Sequence, residues 1–116
     1  MKILITGASG FVGTELCKFF LKRGDHVVGV GTSKEESLKI GSFLNKNINL
    51  ISNFSWIRAN TSQTGIWQDK VLDVDVVINL TGRNIFKYWS KNYKKQIYES
   101  RIKTTQNIVE AISKDN

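Results

Sequence analysis

Three glycines spaced three apart, Gly7, Gly10 and Gly13, stand where a short apolar run, Lys2-Ile3-Leu4-Ile5-Thr6, meets a helix-like segment. That order of strand, glycine bend and helix constrains the fold more than any other part of the chain. Glycines let main-chain N–H groups come close to a diphosphate, and the first turn of a helix adds partial positive charge. The pattern points to a Rossmann-type dinucleotide site at the first strand-to-helix bend. Gly7 is expected to make the tight turn out of the strand, Gly10 to admit the diphosphate, and Gly13 to let the helix pack closely. Ser9, Phe11 and Val12 complete the bend. A tight turn that holds no ligand is the other reading of the same glycines.

Around the bend the chain alternates between strand and helix patterns. Lys2–Thr6 reads as a strand buried on both faces. A helix is predicted from about Phe11 to Arg23, with Val12, Leu16, Phe19 and Phe20 on one apolar face and Gly24 just beyond its end. His26–Val30 reads as the second strand. Ser33 is a candidate helix cap, with Glu35 and Glu36 in the first turn, and Gly41 is expected to weaken or end that helix. An asparagine-rich stretch precedes a third strand, Phe54–Ala59. Thr61–Lys70 reads as a loop or short helix carrying Trp67, and Val74–Leu80 as a dense apolar fourth strand. A loop at 83–89 leads to a long helix from about Ser90 to Ser113. Its early face carries Tyr93 and Ile97, and its later face Thr105, Ile108, Val109 and Ile112. The order predicts one α/β domain over residues 1–116: a three-layer fold with a parallel sheet in the order 3-2-1-4. The long helix is expected in the layer of the first helix or at the sheet edge.

Charge and composition narrow the function classes. The formal net charge is +7, and between Arg83 and Lys103 there are seven basic residues against one acid, Glu99. Such a stretch suits a solvated helix face or a surface that attracts an anionic cofactor, and less readily a nucleic-acid footprint. A single cysteine, Cys17, excludes an internal disulfide and a multi-cysteine metal site, and its place in the first helix predicts a small buried hydrophobe. The lone histidine, His26, has no ligand-forming neighbours in sequence. No apolar run approaches the roughly 20 residues that span a bilayer. The first strand follows Met1-Lys2 directly. The expectation is a cytoplasmic protein with no membrane partner.

The end of the second strand bears on the choice of cofactor. A site for NAD usually places an acid there to accept from the ribose hydroxyls. Here the segment is Val30-Gly31-Thr32-Ser33-Lys34, with no acid before Glu35. Thr32, Ser33 and Lys34 suit a 2′-phosphate, so NADP is favoured over NAD; the alternative is that Thr32 and Ser33 only form a turn and cap. Asn60, followed by Thr61, is placed to bond the adenine amine. Leu80-Thr81-Gly82 closes the fourth strand, where small residues let ribose and phosphates lie against the backbone.

These segments resemble the extended and atypical short-chain dehydrogenases/reductases, the NAD(P)-dependent epimerase/dehydratase family. The branch most similar is the epimerase-family, cell-division-inhibitor-like one, related to sugar-nucleotide epimerases. The resemblance rests on Gly7-Ala8-Ser9-Gly10-Phe11-Val12-Gly13, Gly65-Ile66-Trp67, Val76-Val77-Ile78-Asn79-Leu80-Thr81-Gly82, Trp89-Ser90, Ser100-Arg101-Ile102-Lys103-Thr104-Thr105 and Val109-Glu110-Ala111-Ile112. It covers nearly the whole chain and is weakest between Ser33 and Phe54. The branch usually has Arg at the position of Thr32, Asp at that of Asn60, Ala at that of Thr81 and Gly at that of Thr104.

The resemblance implies further strands, a substrate domain and a Tyr-x-x-x-Lys pair, in which tyrosine moves a proton while nicotinamide moves hydride. None of Tyr88, Tyr93 and Tyr98 is followed by lysine at the fourth position, so no catalytic residue is assigned. The expected role is the NADP- or NAD-binding portion of an epimerase, dehydratase or reductase, inactive alone, in a fold cut short of the later strands. The alternatives are a non-catalytic nucleotide-sensing or protein-interaction module and, behind it, nucleic-acid binding through the basic helix. A fourth strand left at the sheet edge and an uncovered helix face predict a homo-oligomer.

Overall fold

The computed structural model describes residues 1–81 and 91–113, with side chains for all of these except 91–100. The order is β1 (Lys2–Thr6), α1 (Phe11–Lys22), β2 (His26–Gly31), a 3-10 turn (Glu35–Ser37), α2 (Gly41–Lys46), a 3-10 segment (Ile48–Asn53), β3 (Phe54–Arg58), a longer 3-10 segment (Ile66–Asp73), β4 (Val76–Asn79) and α3 (Lys91–Ser113). The four strands are parallel and lie in the order β3-β2-β1-β4, as the alternating pattern predicted.

The central strands β1 and β2 bury both faces, the outer strands β3 and β4 are at most half-buried, and the period of two sorts the residues of each. Ile3, Ile5, Val27 and the half-buried Phe54, Trp56 and Ile78 join Cys17 and Leu21 of α1. Leu4, Val30 and the half-buried Val28, Ile57 and Val77 join Trp67, Val71, Ile108 and Ala111 on the other side. The long helix therefore covers the face opposite α1, not the same layer or the edge. The reversal of strand order at β1 accounts for this. Right-handed crossovers running toward β3 put α1 on one face, and the crossover from β3 back to β4 puts Ile66–Asp73 on the other, where α3 packs.

The buried stripe of α1 also differs from the one the large side chains suggested. Gly13, Thr14, Cys17 and Leu21 face the sheet. Phe11, Val12 and Phe19 are 74%, 58% and 56% exposed, and Leu16 and Phe20 flank the stripe half-buried. Helix and bend approach so closely at Gly13 that a side chain there would strike the backbone of Gly7 and Ala8. Cys17 is buried as expected, and burial pushes its thiol up to about 12, so it stays protonated and behaves as an apolar group. On α3, Ile108 is buried with Thr104 and Ala111, whereas Thr105, Val109 and Ile112 are exposed.

Most boundaries fall within one residue of the sequence pattern, with β2 ending at Gly31 and β3 at Arg58, and three departures are larger or change an element's start. Lys34, not Ser33, precedes the Glu35–Ser37 turn, and no side chain caps it. Gly41 begins α2 rather than ending a helix. β4 is two residues shorter than expected at its start and one shorter at its end, because Val74 closes the preceding 3-10 segment. The expected loop at 83–89, Ser90 and the side chains of Tyr93 and Ile97 fall outside the described residues.

The end of α1 is a Schellman turn. Gly24 has φ +94°, its N–H donates to the Leu21 carbonyl, and the Asp25 N–H donates to that of Phe20. This seats the Asp25 carboxylate, which accepts from the Met1 ammonium at 2.9 Å and from Arg23 Nε at 2.8 Å. The hydrogen bond from the ammonium, aided by Arg23, holds the carboxyl below its ordinary range against the opposing effect of desolvation. The stabilisation is fully present above the unfolded value of about 3.9 and is lost as pH falls through the lower folded value. Asp25→Asn should therefore lower the Tm at neutral pH. Its melting temperature should converge with the parent's as the solution is acidified through the carboxylate range; a Tm deficit unchanged by acid would contradict this role.

Candidate functional site

The first bend is held together by main-chain contacts that leave no room for side chains. Gly7 has φ +68°, and a Cβ there would lie 2.8 Å from the carbonyl carbon and oxygen of Leu80 and 2.9 Å from the Thr81 nitrogen. Gly13 is tighter still: a Cβ would sit 2.6 Å from Ala8 Cα and 2.7 Å from the Gly7 oxygen. The Gly7 N–H donates to the Val30 carbonyl at 2.9 Å, tying the bend to β2. Gly7 and Gly13 are thus demanded by the fold.

Gly10 is different. Its backbone is extended, with φ −73° and ψ 176°, and the nearest atom to a Cβ there is the Gly7 oxygen at 3.7 Å. Nothing in the protein requires glycine at this position. The space a side chain would enter belongs to an open cleft of about 280 Å³, lined by Gly7, Ser9, Gly10, Gly31, Thr32, Ala59, Asn60, Thr61, Leu80 and Thr81. The first turn of α1 opens beside it, with no side-chain cap and no acid in that turn. Three or four main-chain N–H groups at such an end have no partner within the helix. The bend fits a diphosphate for these reasons: a positive helix end, room at Gly10, and no competing carboxylate.

The cleft gathers eight of the fourteen residues marked in the sequence: Gly7, Ser9, Gly10, Thr32, Asn60, Thr61, Leu80 and Thr81. Phe11 and Val12 stand exposed on the first turn of α1 and do not line it, and Gly13 is buried beneath the bend. Ser33 and Lys34 also lie outside the lining. Gly82 falls outside the described residues. Asn60 Oδ1 already accepts from Ser62 N at 3.1 Å and Ser62 Oγ at 2.6 Å. Its Nδ2 donors are thus what it can offer, which suits a ring nitrogen of adenine better than the amine. Thr61 is 3% exposed, and its hydroxyl is engaged within the protein.

Two β3 residues that sequence reasoning passed over shape the β2 end. Trp56 and Arg58 pair in register with Gly29 and Gly31. A Cβ at Gly29 would lie 2.8 Å from Trp56 Cε3, and one at Gly31 3.0 Å from Trp56 Cη2, so the indole lies over the two glycines. Trp56 Nε1 donates to the Ser33 carbonyl at 3.0 Å, and Arg58 Nε to that of Thr32 at 3.1 Å. The turn 32–33 is pinned from β3, and Arg58 brings a permanent cation to its edge. The alternating Gly29 and Gly31, opposite a strand with a large aromatic, were the available sequence signal.

Among the described residues no group of acids, histidines and cysteines is arranged to hold a metal. The different demands on the three glycines separate in denaturation experiments. Gly7→Ala and Gly13→Ala should each cost roughly 1–3 kcal/mol, and Gly10→Ala less than about 0.5 kcal/mol. Equal losses at all three would contradict the geometry.

Comparison with known proteins follows the same lines. The family model for the NAD dependent epimerase/dehydratase family matches residues 3–116. An epimerase family protein of Staphylococcus haemolyticus is 34% identical over 112 residues, covering 97% of this chain and 32% of that protein. One of Staphylococcus saprophyticus is 32% identical over 107 residues, covering 92% and 31%. The chain thus spans about a third of the length of these relatives. Among solved structures, UDP-glucuronic acid 4-epimerase from Bacillus cereus, in complex with UDP-glucuronic acid and NAD, superposes with a TM-score of 0.73. Its identity is 34%, and the match covers 96% of this chain and 36% of that one. A yeast methylglyoxal/isovaleraldehyde reductase complexed with NADPH shares the fold at TM-score 0.73 and 18% identity, over 98% and 33% of the two chains. A bend built on Gly7 and Gly13, a parallel sheet in the order 3-2-1-4 and a family match running almost end to end place this chain in the NAD dependent epimerase/dehydratase family.

Proposed function

We propose that this chain is the dinucleotide-binding portion of an epimerase-, dehydratase- or reductase-type oxidoreductase, and that it prefers NADP. The observation that carries the reading is Gly10: a glycine the fold does not need, facing a cleft at an uncapped helix end. Gly7, Ser9 and Gly10 hold the diphosphate with main-chain donors, and the first turn at Phe11, Val12 and Gly13 adds its partial charge. Asn60 orients adenine through its amide donors. Leu80 and Thr81 form the opposite wall, and Gly82, outside the described residues, is kept as a candidate from the sequence alone.

Thr32, Ser33 and Lys34, with Arg58 beside Thr32, favour a 2′-phosphate over a bare diol. When bound, the nicotinamide supplies hydride transfer. This chain's own residues bind and orient, and none of them is assigned a proton-transfer step, so the chain alone is expected to turn nothing over. The binding of NAD by the Bacillus cereus epimerase supports a dinucleotide here, and the chemistry at 32–34 favours the phosphorylated form. No described helix is long and apolar enough to cross a membrane, and a cytoplasmic setting fits the family.

The same reading includes self-association. Among the described residues, β4 pairs only with β1. A groove of about 570 Å³ runs between β4 and α3, with Leu72, Val109 and Ile112 about half exposed along it. An apolar groove beside an unpaired edge favours contact between copies.

Fluorescence titration with NADPH and NADH tests the cofactor reading. Micromolar binding is expected, tighter for NADPH. Gly10→Val should abolish it in a protein with parental Tm, because the side chain fills phosphate space; parental affinity in that folded variant would rule the pocket out. Arg58→Ala should weaken NADPH by about tenfold, the equivalent of roughly 1.4 kcal/mol, and leave NADH nearly unchanged. Light scattering across a concentration series tests association: a clean monomer throughout would exclude it.

A further inference from the structure

Three threonine hydroxyls meet behind the cleft wall. Thr61 Oγ1 lies 3.2 Å from Thr81 Oγ1 and 3.0 Å from Thr104 Oγ1. They come from three different parts of the chain: the residues after β3, the residues after β4, and the middle of α3. Thr81 is half-buried and lines the cleft, whereas Thr104 is 0% exposed and does not.

The surrounding bonds hold the same three parts together. Asn107 Nδ2, one turn along α3 from Thr104, donates to the Thr61 carbonyl at 2.9 Å. Asn79 Oδ1 accepts from Thr81 N at 3.1 Å and from Thr6 Oγ1 at 2.7 Å, and Asn79 Nδ2 donates to Thr105 Oγ1 at 3.1 Å. Thr61 and Thr81 follow the ends of their strands, so no strand ladder holds them. Thr61 is held directly from α3, through Thr104 and Asn107, and Thr81 is joined to that helix only through Thr61 and Asn79.

A hydroxyl carries one proton and two lone pairs. In a row of three, the middle hydroxyl donates to one neighbour and accepts from the other. If Thr104 donates to Thr61 and Thr61 to Thr81, the Thr81 proton is left to point into the cleft. An oxygen acceptor on a ligand selects that direction along the whole row.

We propose that Thr61, Thr81 and Thr104 form a hydroxyl relay through which α3 orients the donor that Thr81 presents to an oxygen of the bound dinucleotide. The proposal rests on the dinucleotide reading above. Thr61 and Thr104 are positioning residues, and Thr81 is the member that touches ligand. Because the relay runs through α3, occupancy of the cleft and docking of that helix are linked.

Thr104→Val keeps shape and removes the hydroxyl, and Thr104→Ser keeps the hydroxyl. NADPH titration should find Thr104→Val weakened by about fivefold and Thr104→Ser close to the parent. Thr81→Val should weaken binding to a similar degree, and adding Thr104→Val to it should cost little more. A purely structural role for Thr104 would lower Tm without making the two losses non-additive. Parental affinity in Thr104→Val, failure of Thr104→Ser to rescue, or simple additivity would each overturn the relay. If Thr104→Val does not fold, Thr81→Val decides alone, since its half-exposed side chain leaves the core intact: parental affinity there means the relay has no ligand-facing end. Failure of the parent itself to bind either dinucleotide would remove the cofactor reading and the relay with it, whereas a binding parent with an indifferent Thr104→Val removes only the relay.

Discussion

Backbone touching backbone is the constraint from which the rest of this structure follows. At Gly7 the chain leaving β1 lies against Leu80 and Thr81, and at Gly13 the helix that follows lies against Ala8. These two contacts bring the ends of β1 and β4 and the start of α1 to one place, and the bond from Gly7 to Val30 adds β2. They also explain the unusual face of α1. A helix drawn in this far buries its small residues and leaves Phe11, Val12 and Phe19 to solvent. Hydrophobic burial then stabilises a geometry that sterics have already chosen.

Strand order and the glycine bend were legible because both rest on local rules. Period-two apolar runs mark buried strands, and right-handed crossovers leave few ways to arrange them. The face taken by α3 was less legible, since it depends on where the order reverses. The buried stripe of α1 is not legible from hydrophobicity, because volume decides which residues fit at that contact. The region from Ser33 to Asn53 remained hard to read: its short 3-10 turns have no side-chain caps and no sustained period.

The candidate site was legible to a similar extent and for similar reasons. Residues marked by backbone requirements, such as Gly7, Gly10 and Leu80, come together at the cleft. Residues marked by side-chain chemistry fared unevenly. Asn60 lies at the cleft with its oxygen already committed to Ser62, and Thr61 is turned inward to other threonines. Ser33 serves through its carbonyl, which Trp56 holds. Trp56 and Arg58 escaped notice because their importance arises across strands, from register with Gly29 and Gly31, and no local motif records register.

That register has an evolutionary side. A Cβ at Gly31 would lie 3.0 Å from Trp56 Cη2, so a side chain there would press on the far edge of the indole. An acid acquired at Gly31 would therefore depend on how far the tryptophan ring can give. One aromatic ring thus bears on which substitutions the end of β2 can accept.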